Sequence, residues 1–341
     1  MWSRRQEEQK NNAVKYNRAQ QQKIPTMKKA AAIFKIILIG LLVLVAVIFI
    51  AFGYKDKTVK ELTAKYAVPP SAFIEVDGMQ VHYRDEGNRA DSLPLVLIHG
   101  TGSSLHTFDA WAAGLKKEKR VVRMDIPAFG LTGPFPNRQY SIQHYVDFIN
   151  HFLLALGIQK CIIGGNSLGG EIAWNYTVQF PAMVKKLVLI DAAGYPLEST
   201  SVPIGFRIGR MAVVNKLLTF ITPKSMVKMS VENVYADKLK VTDALVDRYF
   251  DLTLRAGNRQ ALIDRLNLPP DTSAVPLIRN IQQPVLILWG SQDLLIPVKY
   301  ADRFHKDLPD DTLVILNNTG HVPMEENPPE SLAALLAFLK K

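Results

Sequence analysis

Three hydrophobic patterns follow one another along the chain. Residues 36–54, IILIGLLVLVAVIFIAFGY, are uncharged over 19 positions. AFIEVDGMQVHYRDEG then alternates apolar and polar residues about Asp77-Gly78, which predicts a β-hairpin closed by a tight turn. Beyond it come short unbroken apolar runs, LPLVLIHG, RVVRMDIPAFG, KLVLIDAAG, PVLILWGSQD and TLVILNNTGH, with IIGGNSLGG among them. Runs of this length and β-branched content predict strands buried on both faces. Helical stretches separate them: SIQHYVDFINHFLLALG, EIAWNYTVQF closed by Pro181, and VKYADRFHKDL. Such alternation predicts an α/β fold, a mostly parallel sheet with helices on both faces and its site at the carboxyl ends of the strands. Residues from about 196 to 275 contain no convincing buried strand. They predict a helical cap inserted between the strand ending at Asp191 and the strand opening at Pro284.

The first pattern reads as a membrane span, because 19 uncharged residues at helical rise cross most of a bilayer's hydrocarbon core. Residues 30–34 extend it if Lys35 snorkels to the interface. Ahead of it Arg4, Arg5, Lys10, Lys15, Arg18, Lys23, Lys28 and Lys29 outweigh Glu7 and Glu8, whereas residues 55–65 are only weakly basic. This bias places the amino terminus in the cytoplasm and the remainder outside. The expected organisation is a basic cytoplasmic tail at 1–29, a transmembrane helix at 30–54, a linker at 55–71 and an α/β domain at 72–341 carrying the cap. The alternative is secretion after signal cleavage near Gly53, since Ala51-Phe52-Gly53 is a small-x-small site. The apolar run exceeds the usual signal-peptide core of about 7–15 residues.

Charge narrows the function classes. The net charge is +10, but residues 1–65 hold 13 basic and 4 acidic side chains, so the rest of the chain is nearly neutral. A nucleic-acid partner is therefore not expected. The single cysteine, Cys161, rules out an intrachain disulfide. No pair among the seven histidines has ligand spacing for zinc, and neither a metal nor another cofactor is expected.

The candidate chemistry lies where the strand runs break. Gly165-Asn166-Ser167-Leu168-Gly169 puts a serine on a sharp strand-to-helix turn. Glycines two residues either side remove the β-carbons that would collide when a nucleophile is forced into a strained backbone. A serine hydroxyl needs a base and an orienting acid. The run ending at Gly320 delivers His321, and the run breaking at Gly290 delivers Asp293. Asp191 also ends a strand and is the rival acid, while Asp125 reads as a turn-forming or hydrogen-bonding residue.

With HGTG at 99, DIPAFGLTG at 125, GNSLGG at 165 and WGSQD with GHVPMEENP near the end, residues from about 72 to 341 resemble the α/β-hydrolase superfamily. The resemblance implies the triad Ser167, Asp293 and His321 in that chain order. It implies an oxyanion site from the N–H groups of Thr101 and Leu168, with His99, Gly100 and Gly102 shaping the loop and Gly165 and Gly169 the elbow. It also implies a cap over the triad, with Phe206, Met211, Leu217, Phe220, Met226 and Met229 as candidate apolar lining. Five basic residues without an acidic one between Ser199 and Val231, namely Arg207, Arg210, Lys216, Lys224 and Lys228, suit contact with anionic lipid headgroups.

The activity so implied is cleavage of carboxylic esters of apolar acids, of the esterase or lipase kind, with a small ester or lipid as substrate. Dehalogenases and epoxide hydrolases of this fold use a carboxylate nucleophile, and position 167 is serine. Carbon–carbon bond hydrolases of ring-cleavage products and lactone hydrolases use the same triad and stay open. The former usually carry HGSGPG where this chain reads HGTGSS. A non-catalytic binding protein on the same fold is the last alternative, and such proteins often lose a triad member or an elbow glycine that this chain keeps.

Overall fold

The computed structural model describes residues 2–212 and 214–341, with side chains at all of these except 22–28. Lys23 and Lys28 of the basic segment therefore lie outside the described side chains. The chain divides into one unit ending at Gly53 and a second at Tyr54–Lys341. The first is a single helix, α1 (Trp2–Phe52), so the segment read as a tail is helical. Its apolar part, Lys29–Phe52, has 24 residues, about 36 Å at helical rise, against a hydrocarbon core of about 30 Å.

Two boundaries differ from the reading of the sequence. The helix stops at Phe52, and Tyr54 belongs to the second unit. Residues 55–71, expected as a linker, carry α2 (Val59–Tyr66), started by a capping box in which Thr58 Oγ1 accepts from Glu61 N–H and Thr58 N–H donates to Glu61 Oε2. Leu62 and Tyr66 of α2 are buried with Leu131 and Leu252. Lys57 and Lys65 both bond Asp251. The segment is part of the folded body.

That body is an eight-stranded sheet: β1 (Ser71–Val76), β2 (Met79–Glu86), β3 (Leu95–Ile98), β4 (Val121–Met124), β5 (Cys161–Asn166), β6 (Val184–Ile190), β7 (Val285–Gly290) and β8 (Asp311–Leu316). Their order is β1-β2-β4-β3-β5-β6-β7-β8. The expected hairpin joins β1 to β2 through Asp77 and Gly78, both at positive φ, the turn whose twist matches paired strands. β2 pairs antiparallel with β4, and every later pairing is parallel. The unbroken apolar runs reflect burial on both faces. In β3, Val96 and Ile98 join the core under α4 (Ile142–Ala155) and α5 (Leu168–Gln179). Leu95 and Leu97 join the core under α3 (Asp109–Leu115) and the carboxyl-terminal helix.

Between β6 and β7 the described residues form helices, chiefly α6 (Ile204–Gly209), α7 (Val214–Leu217), α8 (Lys224–Glu232), α9 (Asp243–Thr253) and α10 (Asn258–Leu266). After β7 come α11 (Lys299–Asp307), then beyond β8 the short α12 (Pro323–Glu326) and α13 (Pro328–Leu339). This order puts the carboxyl ends of β3, β5, β6, β7 and β8 side by side.

Candidate active site

Ser167 follows the last residue of β5 and precedes the first of α5, at φ 56 and ψ −118. A side chain rarely adopts this conformation, and its surroundings hold it there. Ser167 N–H donates to Ile190 O at 3.0 Å, and its carbonyl accepts from Ala193 N–H at 3.0 Å. Gly165 and Gly169 allow the turn through close approach: a β-carbon on Gly165 would strike the carbonyl of Gly169, and one on Gly169 would strike that of Ile98. The elbow is thereby pressed against the end of β3.

That contact brings the turn after β3 beside the serine. A β-carbon on Gly100 would lie 3.1 Å from Ser167 Cβ. Thr101 sits within the turn closed by Ser103 N–H donating to Gly100 O at 3.2 Å, and Gly102 is at φ +74. Leu168 is the first residue of α5, so its N–H is one of the donors every helix leaves without an internal partner. His99 is buried and braces this loop. Its Nδ1–H donates to Gly100 O at 2.8 Å while Nε2 accepts from Ile126 N–H at 3.0 Å, which defines the tautomer. Burial holds its imidazole below the ordinary range, against the opposing pull of Asp125. Asp125 accepts from Leu105 N–H and Leu131 N–H, both at 2.8 Å, and pairs with His82 Nδ1 at 2.7 Å. Burial alone would raise this carboxyl, but the charge and bond of His82 hold it well below the usual carboxylate range.

On the other side of the elbow, His321 Nδ1 meets Asp293 Oδ2 at 2.6 Å, both buried. Asp293 Oδ1 accepts from Leu295 N–H at 2.8 Å and Ile296 N–H at 2.9 Å. Asn166 ties this pair to the serine turn, since its Nδ2 donates to His321 O at 2.9 Å. The rival acid, Asp191, is fully buried and adjoins the pair, with ligand atoms of Asp191, Asp293 and His321 all within 4.8 Å. Its Oδ1 accepts from Gly290 N–H at 2.9 Å, while Oδ2 is buried beside Asp293 without a hydrogen-bond partner among the described residues. Both Asp293 oxygens are already engaged, so the trio is arranged as an acid pair behind an imidazole rather than as open cation ligands.

Burial, and next the charge of Asp293, push the Asp191 carboxyl well above its ordinary range. The sign of the linked effect follows. An unfolded aspartate ionises near pH 4, so above that the folded chain binds the extra proton and loses stability as pH rises toward the raised value. Asp191→Asn should flatten this dependence, which is at most about 1.4 kcal/mol per pH unit. Urea midpoints measured between acid and alkaline pH check it, and parallel curves for the two proteins refute it.

Two further groups at the site had no role assigned from the sequence. Glu326 is buried, and its carboxylate accepts from Gly320 N–H at 2.7 Å, Asp237 N–H at 2.8 Å and Ala236 N–H at 3.2 Å. It therefore fastens the turn before His321 to the cap, alongside the bond from His321 N–H to Val234 O at 2.8 Å. Leaving such buried N–H groups unpaired costs about 1–3 kcal/mol each. Glu325 pairs with Arg248 of α9 and accepts from Tyr249 OH at 3.0 Å, and that hydroxyl lies 3.3 Å from Ser103 Oγ. Their only sequence signal is GHVPMEENP, where two adjacent glutamates read as a solvated turn. Of the candidate lining residues, Phe206 stands 4.0 Å from the position of a Gly102 β-carbon. Met211, Leu217, Phe220 and Met229 are exposed instead.

A family model described as the alpha/beta hydrolase fold matches residues 94–328. The uncharacterized hydrolase YugF of Bacillus subtilis is 26% identical over 283 residues, covering 80% of this chain and 99% of its own. A 2-hydroxy-6-oxo-6-(2'-aminophenyl)hexa-2,4-dienoic acid hydrolase of Metapseudomonas resinovorans is 25% identical over 277 residues, covering 79% of this chain and 90% of its own. Among solved structures, that of a bacterial membrane phospholipase A is 26% identical with a TM-score of 0.66, covering 90% of this chain and 98% of that one.

Proposed function

The chain belongs to the α/β-hydrolase family and is an enzyme of that type, and from this premise we propose that it cleaves carboxylic esters of apolar acids through an acyl-enzyme on Ser167. The observation that carries the proposal is the His321–Asp293 bond at 2.6 Å, tied through Asn166 to a serine at φ 56. In this reading Ser167 Oγ attacks the ester carbonyl carbon while His321 Nε2 takes its proton. Asp293 keeps the proton of the neutral imidazole on Nδ1 and stabilises the imidazolium that forms. The N–H groups of Thr101 and Leu168 receive the oxyanion, each worth about 3 kcal/mol of transition-state stabilisation. His321 returns its proton to the departing alkoxide. Water then attacks the acyl-enzyme by the same route and releases the acid.

The apolar preference is supported by Phe206 over the oxyanion turn and by likeness to a membrane phospholipase A. We also place the amino terminus in the cytoplasm and the catalytic body on the other side of the membrane, on the charge bias around Lys29–Phe52, the helix among the described residues that is long and apolar enough to cross. Likeness to a dienoic acid hydrolase favours one second reading, carbon–carbon bond cleavage with the same residues. Assay of p-nitrophenyl esters from acetyl to palmitoyl beside a 2-hydroxy-6-oxo-dienoate and a lactone separates them. The best ester should exceed the others in kcat/KM by about 100-fold, a margin typical of pocket discrimination. A dienoate preferred by that margin would overturn the ester assignment.

A further inference from the structure

The cap exposes apolar side chains in the stretch that bonds Tyr54, the first residue of the body. Met211, Leu217 and Phe220 are 51%, 49% and 60% exposed within one stretch of ten residues. Large apolar groups clustered on a surface mark a place where something else is met. Of the five basic residues around them, Lys224 pairs with Asp247 and Lys228 with Glu232, so their charge is answered locally. Arg207, Arg210 and Lys216 are exposed and enter no ion pair among the described residues. The stretch therefore combines exposed apolar side chains with three cations that have no ion pair among the described residues.

Chain connectivity says what lies near it. Tyr54 N–H donates to Phe220 O at 3.1 Å, Arg259 donates to Tyr54 O at 2.9 Å and to Asp56 Oδ1 at 2.7 Å, and the Tyr54 ring stands edge-on to Phe250 at 4.9 Å. Tyr54 is therefore fixed to the cap by backbone and side chain. It follows Phe52, the end of the apolar stretch, by two residues, which reach at most about 7 Å. The headgroup layer is itself about 5–7 Å deep on each side. If Lys29–Phe52 crosses the bilayer, Phe220 stands at the headgroups whatever the tilt of the body.

We propose that Met211, Leu217 and Phe220, bordered by Arg207, Arg210 and Lys216, form a face on which the cap rests against the anionic phospholipid surface of the membrane that the chain's own helix crosses. This rests on the reading of Lys29–Phe52 as a retained span. The apolar side chains enter the boundary between headgroups and acyl chains while the guanidinium and ammonium groups meet phosphate. One short helix, α6, carries both Arg207 of this face and Phe206 over the oxyanion turn, so lipid contact bears on the element covering the nucleophile.

The test uses the full chain in vesicles of phosphatidylcholine and phosphatidylglycerol, with a thiol-reactive fluorophore and lipids carrying a quencher in the acyl chain. The one native thiol, Cys161, is buried, and burial pushes it up to about 12, so labelling is confined to introduced cysteines. Leu217→Cys and Met211→Cys report the face, Val45→Cys the apolar helix, and Lys117→Cys the opposite, amino-terminal end of the strands. The expected result is strong quenching at 45, quenching at 217 and 211, and none at 117. Quenching at 217 should fall at least about threefold when Arg207, Arg210 and Lys216 are all replaced by Gln, or when phosphatidylglycerol is omitted, as release of a few phosphate-paired cations requires. Quenching at 45 with silence at 217 and 211 overturns the face and leaves the span. Silence at 45 overturns the span and the face with it. Concentration-dependent cross-linking between copies at 217, without quenching, assigns the face to a second copy and refutes the lipid proposal.

Discussion

Replacing Ser167 by Ala is expected to lower kcat for a p-nitrophenyl ester by about a million-fold, the loss typical of removing the nucleophile from a serine triad. The bonds that hold residue 167 in place are made by its backbone, to Ile190 O and from Ala193 N–H and Glu171 N–H, and alanine keeps them. Alanine also inherits the φ of 56 and its strain, of order 1–3 kcal/mol, so the thermal midpoint should scarcely move. Ser167→Gly, which removes the β-carbon clash, should unfold later than Ser167→Ala. The oxyanion turn at 100–103 stays intact, so a residual rate of about a thousand-fold over water should persist. Labelling by a fluorophosphonate probe should vanish in both variants. Undiminished turnover or labelling in a folded variant would remove Ser167 from the mechanism and return the chain to the binding-protein alternative.

Residues that signal themselves by burial or by breaking a pattern are legible in the sequence. The strands were readable because both faces of the sheet are covered: Leu95 and Leu97 on one side and Val96 and Ile98 on the other leave no polar position between them. Ser167, Asp293 and His321 stand out in the sequence as candidates because each sits where such a run stops. Helix α2 was not, since only Leu62 and Tyr66 of its eight residues are buried, and two apolar positions four apart among lysines resemble a solvated linker. Glu326 escaped notice for a related reason. Its partners are backbone N–H groups at 236, 237 and 320, and backbone donors have no sequence signature. The cap shows the limit in the other direction. Apolar residues at helical spacing can face a pocket or the outside, and only coordinates separate Phe206, over the oxyanion turn, from Phe220, which is exposed.

Replacing Asp293 by Asn should cost about ten-thousand-fold in kcat near neutral pH, as loss of the orienting carboxylate does in serine triads. The surroundings of this residue dictate how the amide sits. Asp293 Oδ1 already accepts from Leu295 N–H and Ile296 N–H, at 2.8 and 2.9 Å. An asparagine has one acceptor oxygen, and two backbone donors claim it. Its NH2 then faces His321 Nδ1, which must accept. The imidazole proton moves to Nε2, where the free lone pair is needed to take the serine proton. The shape is nearly unchanged, so the variant should fold and still react slowly with a fluorophosphonate. Asp191 provides the control that separates the two acids. Its Oδ1 is held by Gly290 N–H, and it reaches the imidazole only through Asp293. Asp191→Asn keeps an acceptor for Gly290 N–H and removes no hydrogen bond to the imidazole, so kcat should stay within about threefold. A loss at 191 exceeding that at 293 would reverse the assignment and make the acid after β6 the one that orients His321.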